Sequence, residues 1–353
     1  MLEKYVYDAL RTRVMFGRGM ALDTPHEIDA SGTSRWLIVA SDGVCRREAD
    51  LIQRLSPYSA DLFSDVRPHC PIEVAEAALA RFHAIDSDGI IAIGGGSTIG
   101  IGKFIRLRTG KPFICLPTTF SGSEMTPIHG AKIGNEKRTG RDPAAMPTTV
   151  IYDPVLLRNL PKDEIAGTGM NSLAHCFEAL YPRIANPIAT HLAQEGIMAH
   201  AEGLPLSIEE GEAIDGKEKS LHGAFLGGLL VQLVGIGLHH QICHILGGRF
   251  SLSHGESNSI VLPHIVALNQ HAILGQVPDL GLLFGAQPIG RGVFDLARRI
   301  GAPRDLASLG VPKSDLMGLV DYTLDHVGPN PVLLTRELIV RVFEAIWNGD
   351  EPG

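Results

Sequence analysis

The stretch Gly89–Leu107, GIIAIGGGSTIGIGKFIRL, decides the fold of this chain. An apolar run ends in Gly94, Gly95 and Gly96, and Ser97 and Thr98 then lead into a pattern of helical period. It reads as a buried strand, a tight turn and a helix. Glycines let a backbone approach a ligand closely, and the first turn of a helix offers unpaired N–H groups with a partial positive charge. The turn therefore suits a phosphate. Its spacing is neither GxGxxG nor the GK[ST] phosphate loop, so a plain turn without a ligand is the competing reading.

The segments on either side repeat this alternation. RWLIVASD (residues 35–42) reads as a strand running into a polar loop, and residues 44–55 as an amphipathic helix. ADLFSDV (60–66) reads as a strand, PIEVAEAALARFHAID (71–86) as a helix opened by proline, and KPFICLPTT and TTVIYDP as two more strands. Strands alternating with helices predict a parallel, helix-covered, Rossmann-like sheet over residues 1–154. Beyond Pro154 strand-like runs largely vanish, and helical patterns predict an all-α domain over residues 155–353. The acidic stretch Leu206–Ser220 reads as a surface loop or short exposed helix.

Two loops gain meaning from the sheet, because ligands of open α/β sheets bind at the carboxyl ends of the strands. Thr118 and Thr119 follow a strand there and offer hydroxyls to a ribose or a nicotinamide amide. Ser41 follows another strand, where an acidic residue would bind a nucleotide ribose; a neutral serine leaves the nucleotide open.

The helical half carries a histidine pattern. In GMNSLAHCFEAL, His175 follows Asn171 by four residues; LHHQICHILGGRFSLSHGE places His240, His244 and His254 close together. Four-residue spacing stacks side chains on one helix face, so two such faces can converge imidazoles and an amide on one small volume. Three neutral imidazoles could bind zinc, but a neutral amide is a poor ligand. The bland alternative, a set of hydrogen-bonded core histidines, is weakened by the number of histidines involved.

Bulk properties narrow the partners. The chain has 353 residues, a formal charge of −8 and 20% charged residues, without a standout Lys/Arg cluster, which argues against nucleic acid or anionic membrane. Its longest apolar run, Ala224–Leu238, is shorter than the ~18 residues a membrane span needs and contains Gln232, so it reads as a buried helix. The N-terminal residues lack the apolar core of a signal peptide. Five scattered cysteines without a CxxC pair read as reduced thiols, and a cytoplasmic protein is expected.

Taken together these motifs resemble the iron-containing alcohol dehydrogenase superfamily, whose fold is also that of dehydroquinate synthase. The resemblance rests on FGRGM (16–20), the GGGS turn, the PTT…GSE loop ending at Glu124, the run from Lys137 to Pro154, and the two histidine segments. In metal-dependent members the positions of Asn171, His175, His240 and His254 carry an Asp and three His. Asn171 departs from that pattern. Gly100 departs too, standing where GGGSxxDxxK has Asp, and the PTTFSGSEMT loop is one residue short. All three departures are similar to the maleylacetate reductase branch, with its GGGSTxGxGK, PTTxxGSEMT and GMNxLAH versions.

The resemblance implies reduction of the carbon–carbon double bond of maleylacetate to 3-oxoadipate, late in bacterial breakdown of aromatic rings, with chlorinated forms as further substrates. It implies NADH or NADPH held by Ser41, Gly94–Thr98, Thr118, Thr119 and Lys137, no tightly bound metal, and a homodimer. Negative charge would develop on the substrate ketone oxygen, with His244 and His254 as principal donors and His175, His240 and Asn171 shaping the pocket. A metal-dependent alcohol dehydrogenase or aldehyde reductase on the same fold is the alternative, and a nucleotide-binding regulator without catalysis is a more distant one.

Overall fold

The computed structural model describes residues 5, 7, 9–134, 136–181, 186–209, 211, 213–250, 252–285 and 288–353, with Glu136 and Lys137 described by their backbone alone. The chain divides into two compact units, one of Ala9–Leu160 with Glu212–Leu221, the other built from Pro161–Gly211 and His222–Gly353.

The first unit holds strands β1 (Arg13–Phe16), β2 (Trp36–Val39), β3 (Ser59–Phe63), β4 (Gly89–Gly94), β5 (Phe113–Pro117), β6 (Ile128–Ile133), β7 (Glu136–Arg141) and β8 (Thr149–Tyr152). Six of them form one parallel sheet in the order β1-β8-β5-β4-β2-β3. Strands β2, β4, β5 and β8 are buried along their whole length, which is why they read as unbroken apolar runs rather than alternating ones. Helices α1 (Thr24–Ser31), α2 (Asp42–Arg47), α3 (Ala49–Leu55), α4 (Ile72–Ala84) and α5 (Gly96–Thr109) alternate with the strands.

Three features depart from the sequence reading. Strand β1 is short and lies at a sheet edge, half exposed, so its pattern is weak. The helix expected over 44–55 is two helices, because Glu48 leaves helical geometry at φ −109°, ψ 35°. Strands β6 and β7 form a separate antiparallel hairpin in a stretch read only as motif. The FGRGM motif is explained by β1 pairing with β8: the buried Asp153 carboxylate accepts the backbone N–H of Gly19 and Ala21, both at 3.0 Å.

The second unit is helical: α6 (Lys162–Glu178), α7 (Pro187–Glu209), most of α8 (Asp215–Val234), α9 (Leu238–Phe250), α10 (His254–Gln276), α11 (Leu280–Leu283), α12 (Ile289–Arg299), α13 (Leu316–His326) and α14 (Arg336–Asn348). Leu238, Ile242 and Leu246 of α9 recur at helical spacing and pack with Ile260, Ile265, Leu319 and Phe343 in one buried cluster. His240 and His244 fall on a different side of α9, so the core itself sets the direction in which they point. Ser253 opens α10 with a capping box, accepting the Glu256 N–H while Glu256 accepts the Ser253 N–H, and this sets His254 in the first turn.

The acidic stretch, expected as a surface loop or short exposed helix, is helical at both ends and only partly exposed. Leu206–Glu209 closes α7, and Asp215–Ser220 opens α8 with Lys217 and Ser220 fully buried. Asp215 and Glu218 both pair with Arg18, which accounts for this segment joining the first unit. No single described helix is long and apolar enough to cross a membrane; α8 and α9 pass such a test only together, and they meet at 99°.

Candidate active site

The first unit places the residues expected to hold a cofactor on one edge of its sheet. Ser41, Gly94–Thr98 and Thr118–Thr119 follow the carboxyl ends of β2, β4 and β5, which are neighbours. The chain runs from β2 outward to β3 and returns to β4 on the other side of β2. The loops after β2 and β4 therefore lead in opposite directions, which is the switch point where open α/β sheets bind ligands.

The triglycine turn and the threonine loop are fitted to each other. Thr118 donates its N–H to the Gly94 carbonyl at 3.1 Å. A Cβ on Gly94 would come within 2.3 Å of Thr98 Oγ1, and one on Gly95 within 2.9 Å of Thr119 Cγ2. Gly95 is the residue from which α5 starts, so the free N–H groups of that helix open beside Thr119. The Thr119 hydroxyl is buried and has no partner among the described residues. An orphaned hydroxyl beside a glycine cradle at a helix start fits a dinucleotide. Ser41 caps α2, its Oγ accepting the Val44 N–H at 3.4 Å. The side chain of Lys137, on β7, lies outside the described residues.

Lys103 closes the GGGSTxGxGK motif, was given no role by the sequence reading, and organises this edge. It is buried, and its Nζ donates to the carbonyls of Ser123, Thr126 and Ile128 at 2.6, 2.7 and 2.7 Å. Burial lowers its pKa to about 8. Three carbonyls on one ammonium pin the GSEMTPI segment in place. Beside it Tyr152 donates to the buried Glu124 at 2.7 Å, and burial raises the Glu124 pKa.

In the second unit the five predicted residues converge. The His175 and His240 rings stack at 4.4 Å and 19°, and His244 and His254 at 5.7 Å and 20°. His240 lies 6.4 Å from His244 and 6.2 Å from His254, ring centre to ring centre. His240 Nε2 is 3.3 Å from Asn171 Oδ1. The five differ in access. Asn171 and His240 are buried, His175 and His254 are partly exposed, and His244 is exposed. His244 and His254, and His175 in part, thus keep exposed surface, while Asn171 and His240 are covered. Burial, then the neighbouring imidazoles, push His175 and His240 well below the ordinary histidine range, so both are neutral near pH 7.

A supporting layer escaped the sequence reading. Glu178 Oε2 lies 2.7 Å from His240 Nδ1, Asn258 Nδ2 donates to Asn171 Oδ1 at 3.1 Å, and His239 Nε2 lies 2.8 Å from Asn258 Oδ1. His200 Nε2 lies 3.0 Å from Ser172 Oγ. A signal was present for Glu178, which follows Asn171 and His175 on the same face of α6.

Residues 11–154 match the iron-containing alcohol dehydrogenase family profile, and residues 165–347 match the C-terminal profile of the Fe-containing alcohol dehydrogenase family. The chain belongs to this family. It is 39% identical to a maleylacetate reductase of Rhizobium sp. over 97% of its own length and 99% of that protein's. It is 36% identical to a maleylacetate reductase of Burkholderia cepacia over 99% of this chain and all of that one. The crystal structure of maleylacetate reductase from Agrobacterium tumefaciens covers 99% of this chain, and this chain all of that one, with a TM-score of 0.94 at 37% identity. Sulfoacetaldehyde reductase from Bifidobacterium kashiwanohense, solved in complex with NAD+, shares the fold at 22% identity, with a TM-score of 0.89 over 98% of this chain and 99% of that one.

The family name implies iron, and the donors gathered here are imidazoles with a neutral amide. Among the described residues no three His, Cys, Asp or Glu side chains are arranged to hold a metal ion. Asn171 is a neutral amide, and both ring nitrogens of His240 are engaged by Glu178 and Asn171.

Proposed function

We propose that this chain is an oxidoreductase that reduces the double bond of maleylacetate to 3-oxoadipate with NADH or NADPH. The observation that carries the reading is a cluster of accessible imidazoles over a neutral Asn171–His240 floor, in a chain alignable end to end with maleylacetate reductases. Residues 1–154 would hold the cofactor, through Gly94–Thr98, Thr118, Thr119, Ser41 and Lys137, and residues 155–353 the substrate. When bound, the dihydronicotinamide supplies a hydride to the alkene carbon β to the ketone.

What the chain must supply is a donor to the ketone oxygen, where negative charge gathers, and a proton for the α-carbon. His244 and His254 suit both tasks, being accessible, parallel and 5.7 Å apart. His175 stacks its neutral ring on His240 of the buried floor. The neutral floor adds no negative charge against a dianionic substrate, and we propose that no tightly held metal is needed. A cytoplasmic location agrees with five cysteines that form no disulfide among the described residues, and a homodimer is the family-level proposal.

The deciding experiment follows NADH and NADPH absorbance on adding maleylacetate to purified protein. Stoichiometric oxidation with 3-oxoadipate as product is expected. Oxidation only with aldehydes, dependent on added iron or zinc, would establish a metal-dependent alcohol dehydrogenase instead.

A further inference from the structure

The hydrogen bonds around His240 can be counted atom by atom, and the count assigns its protons. Asn258 Nδ2 donates to the His254 carbonyl at 2.6 Å. A carbonyl only accepts, so the orientation of the Asn258 amide is fixed. Its second N–H then points at Asn171 Oδ1, 3.1 Å away, and its own oxygen accepts from His239 Nε2 at 2.8 Å. The Asn171 atom that receives Asn258 must be the oxygen. That same oxygen lies 3.3 Å from His240 Nε2, so Nε2 carries a hydrogen and donates. On the far side of the ring, Nδ1 is 2.7 Å from Glu178 Oε2. Burial keeps the ring neutral, so Nδ1 is bare: the proton in that contact sits on Glu178, which donates to Nδ1, and the pair is neutral overall.

Glu178 is itself held. Its Oε1 accepts the backbone N–H of His240 at 3.2 Å, and the N–H groups of Gly237 and His239 also point to its carboxyl group. A residue at the end of α6 thus closes the N-terminus of α9 and orients the imidazole one turn in. Gly237 leaves room for this, since a Cβ there would stand 3.0 Å from Glu178 Oε1.

We propose that Glu178 is a positioning residue that locks His240 with its Nε2–H on Asn171, and so holds the floor on which His175, His244 and His254 are arranged. The inference rests on the reductase reading for its kinetic test, and on the hydrogen-bond count alone for its spectroscopic one. Glutamine can reproduce both contacts of Glu178: its oxygen accepts the backbone N–H groups and its amide donates to Nδ1, keeping the hydrogen on Nε2. Methionine fills the space and reproduces neither.

Glu178→Gln and Glu178→Met are compared with the native chain for kcat, KM for maleylacetate and NADH affinity, and by nitrogen-15 NMR of histidine-labelled protein. Glu178→Gln should keep kcat within about threefold and keep the His240 Nε2–H signal. Glu178→Met should lose kcat by roughly 10–100-fold, the range for orienting partners of functional histidines, with KM and NADH affinity within about twofold. Full kcat in Glu178→Met, or equal losses in both variants, would overturn the proposal. If the Met variant does not fold, the native and Gln spectra decide: a His240 Nε2 without its proton refutes the count. A native chain with that proton but no turnover of maleylacetate would refute the substrate reading and leave the role of Glu178 standing.

Discussion

The imidazole of His175 lies flat on that of His240, 4.4 Å between ring centres and 19° from parallel. Two cations do not stack at that distance in a buried setting, and burial keeps both rings neutral. We propose that the pair supports chemistry carried out by His244 and His254.

His244→Ala and His254→Ala should therefore lower kcat by roughly 10²-fold or more, the usual loss for a general acid or an enolate stabiliser. Because His244 is exposed and His254 partly so, melting temperatures should change little. A buried structural histidine would behave in the opposite way, losing about 1–3 kcal/mol of stability for partners left unpaired. Turnover and thermal melting on the same variants separate the two roles. Near-normal kcat with early melting would remove both residues from the chemistry.

Gly95→Val should weaken NADH binding while the fold survives. A Cβ at this position already meets Thr119 at 2.9 Å, and valine adds two methyl groups beyond it. The threonine loop must move off the start of α5, where phosphate is expected to sit. Fluorescence titration with NADH measures the loss, and circular dichroism checks the fold. An unchanged titration in folded protein would mean that the turn does not hold the cofactor.

Active protein should contain well under one equivalent of iron or zinc, and chelator should leave turnover intact. The reasons are the neutral amide of Asn171 and the engagement of both His240 nitrogens. Elemental analysis before and after chelation provides the check. Stoichiometric metal with chelator-sensitive turnover would show that the histidines rearrange to bind it.

Stability should fall as the pH drops below about 6.5, the pKa of histidine in an unfolded chain. His200 is fully buried, and burial lowers its pKa to about 3, partly offset by hydrogen bonding with the Gly223 backbone. Between those values the unfolded chain holds a proton that the folded one does not. Stability from this group is complete above about 6.5 and is lost on acidification at up to about 1.4 kcal/mol per pH unit. His200→Gln should flatten the dependence of unfolding free energy on pH by about that slope between pH 6 and 5. An unchanged slope would show that His200 titrates normally.

Much of this molecule is set by its sequence. Strands β2, β4, β5 and β8 are legible because each is buried on both faces, so their runs are apolar almost throughout, Thr149 of β8 excepted. The triglycine turn is legible because a Cβ at Gly94 would strike Thr98 and one at Gly95 would press on Thr119. The histidine set is legible from i, i+4 spacing, a local property of a helix. The decisions left to tertiary structure are those that join distant residues. Strand order, and with it the switch point between β2 and β4, depends on which edges pair, and no local pattern encodes that. The burial of His240 beneath three accessible imidazoles, the Glu178 carboxyl group at the start of α9, the orientation of Asn258 and the three carbonyls gathered on Lys103 all depend on partners brought together by packing. Residue type proposes a donor or an acceptor; only the fold supplies the atom on the other side.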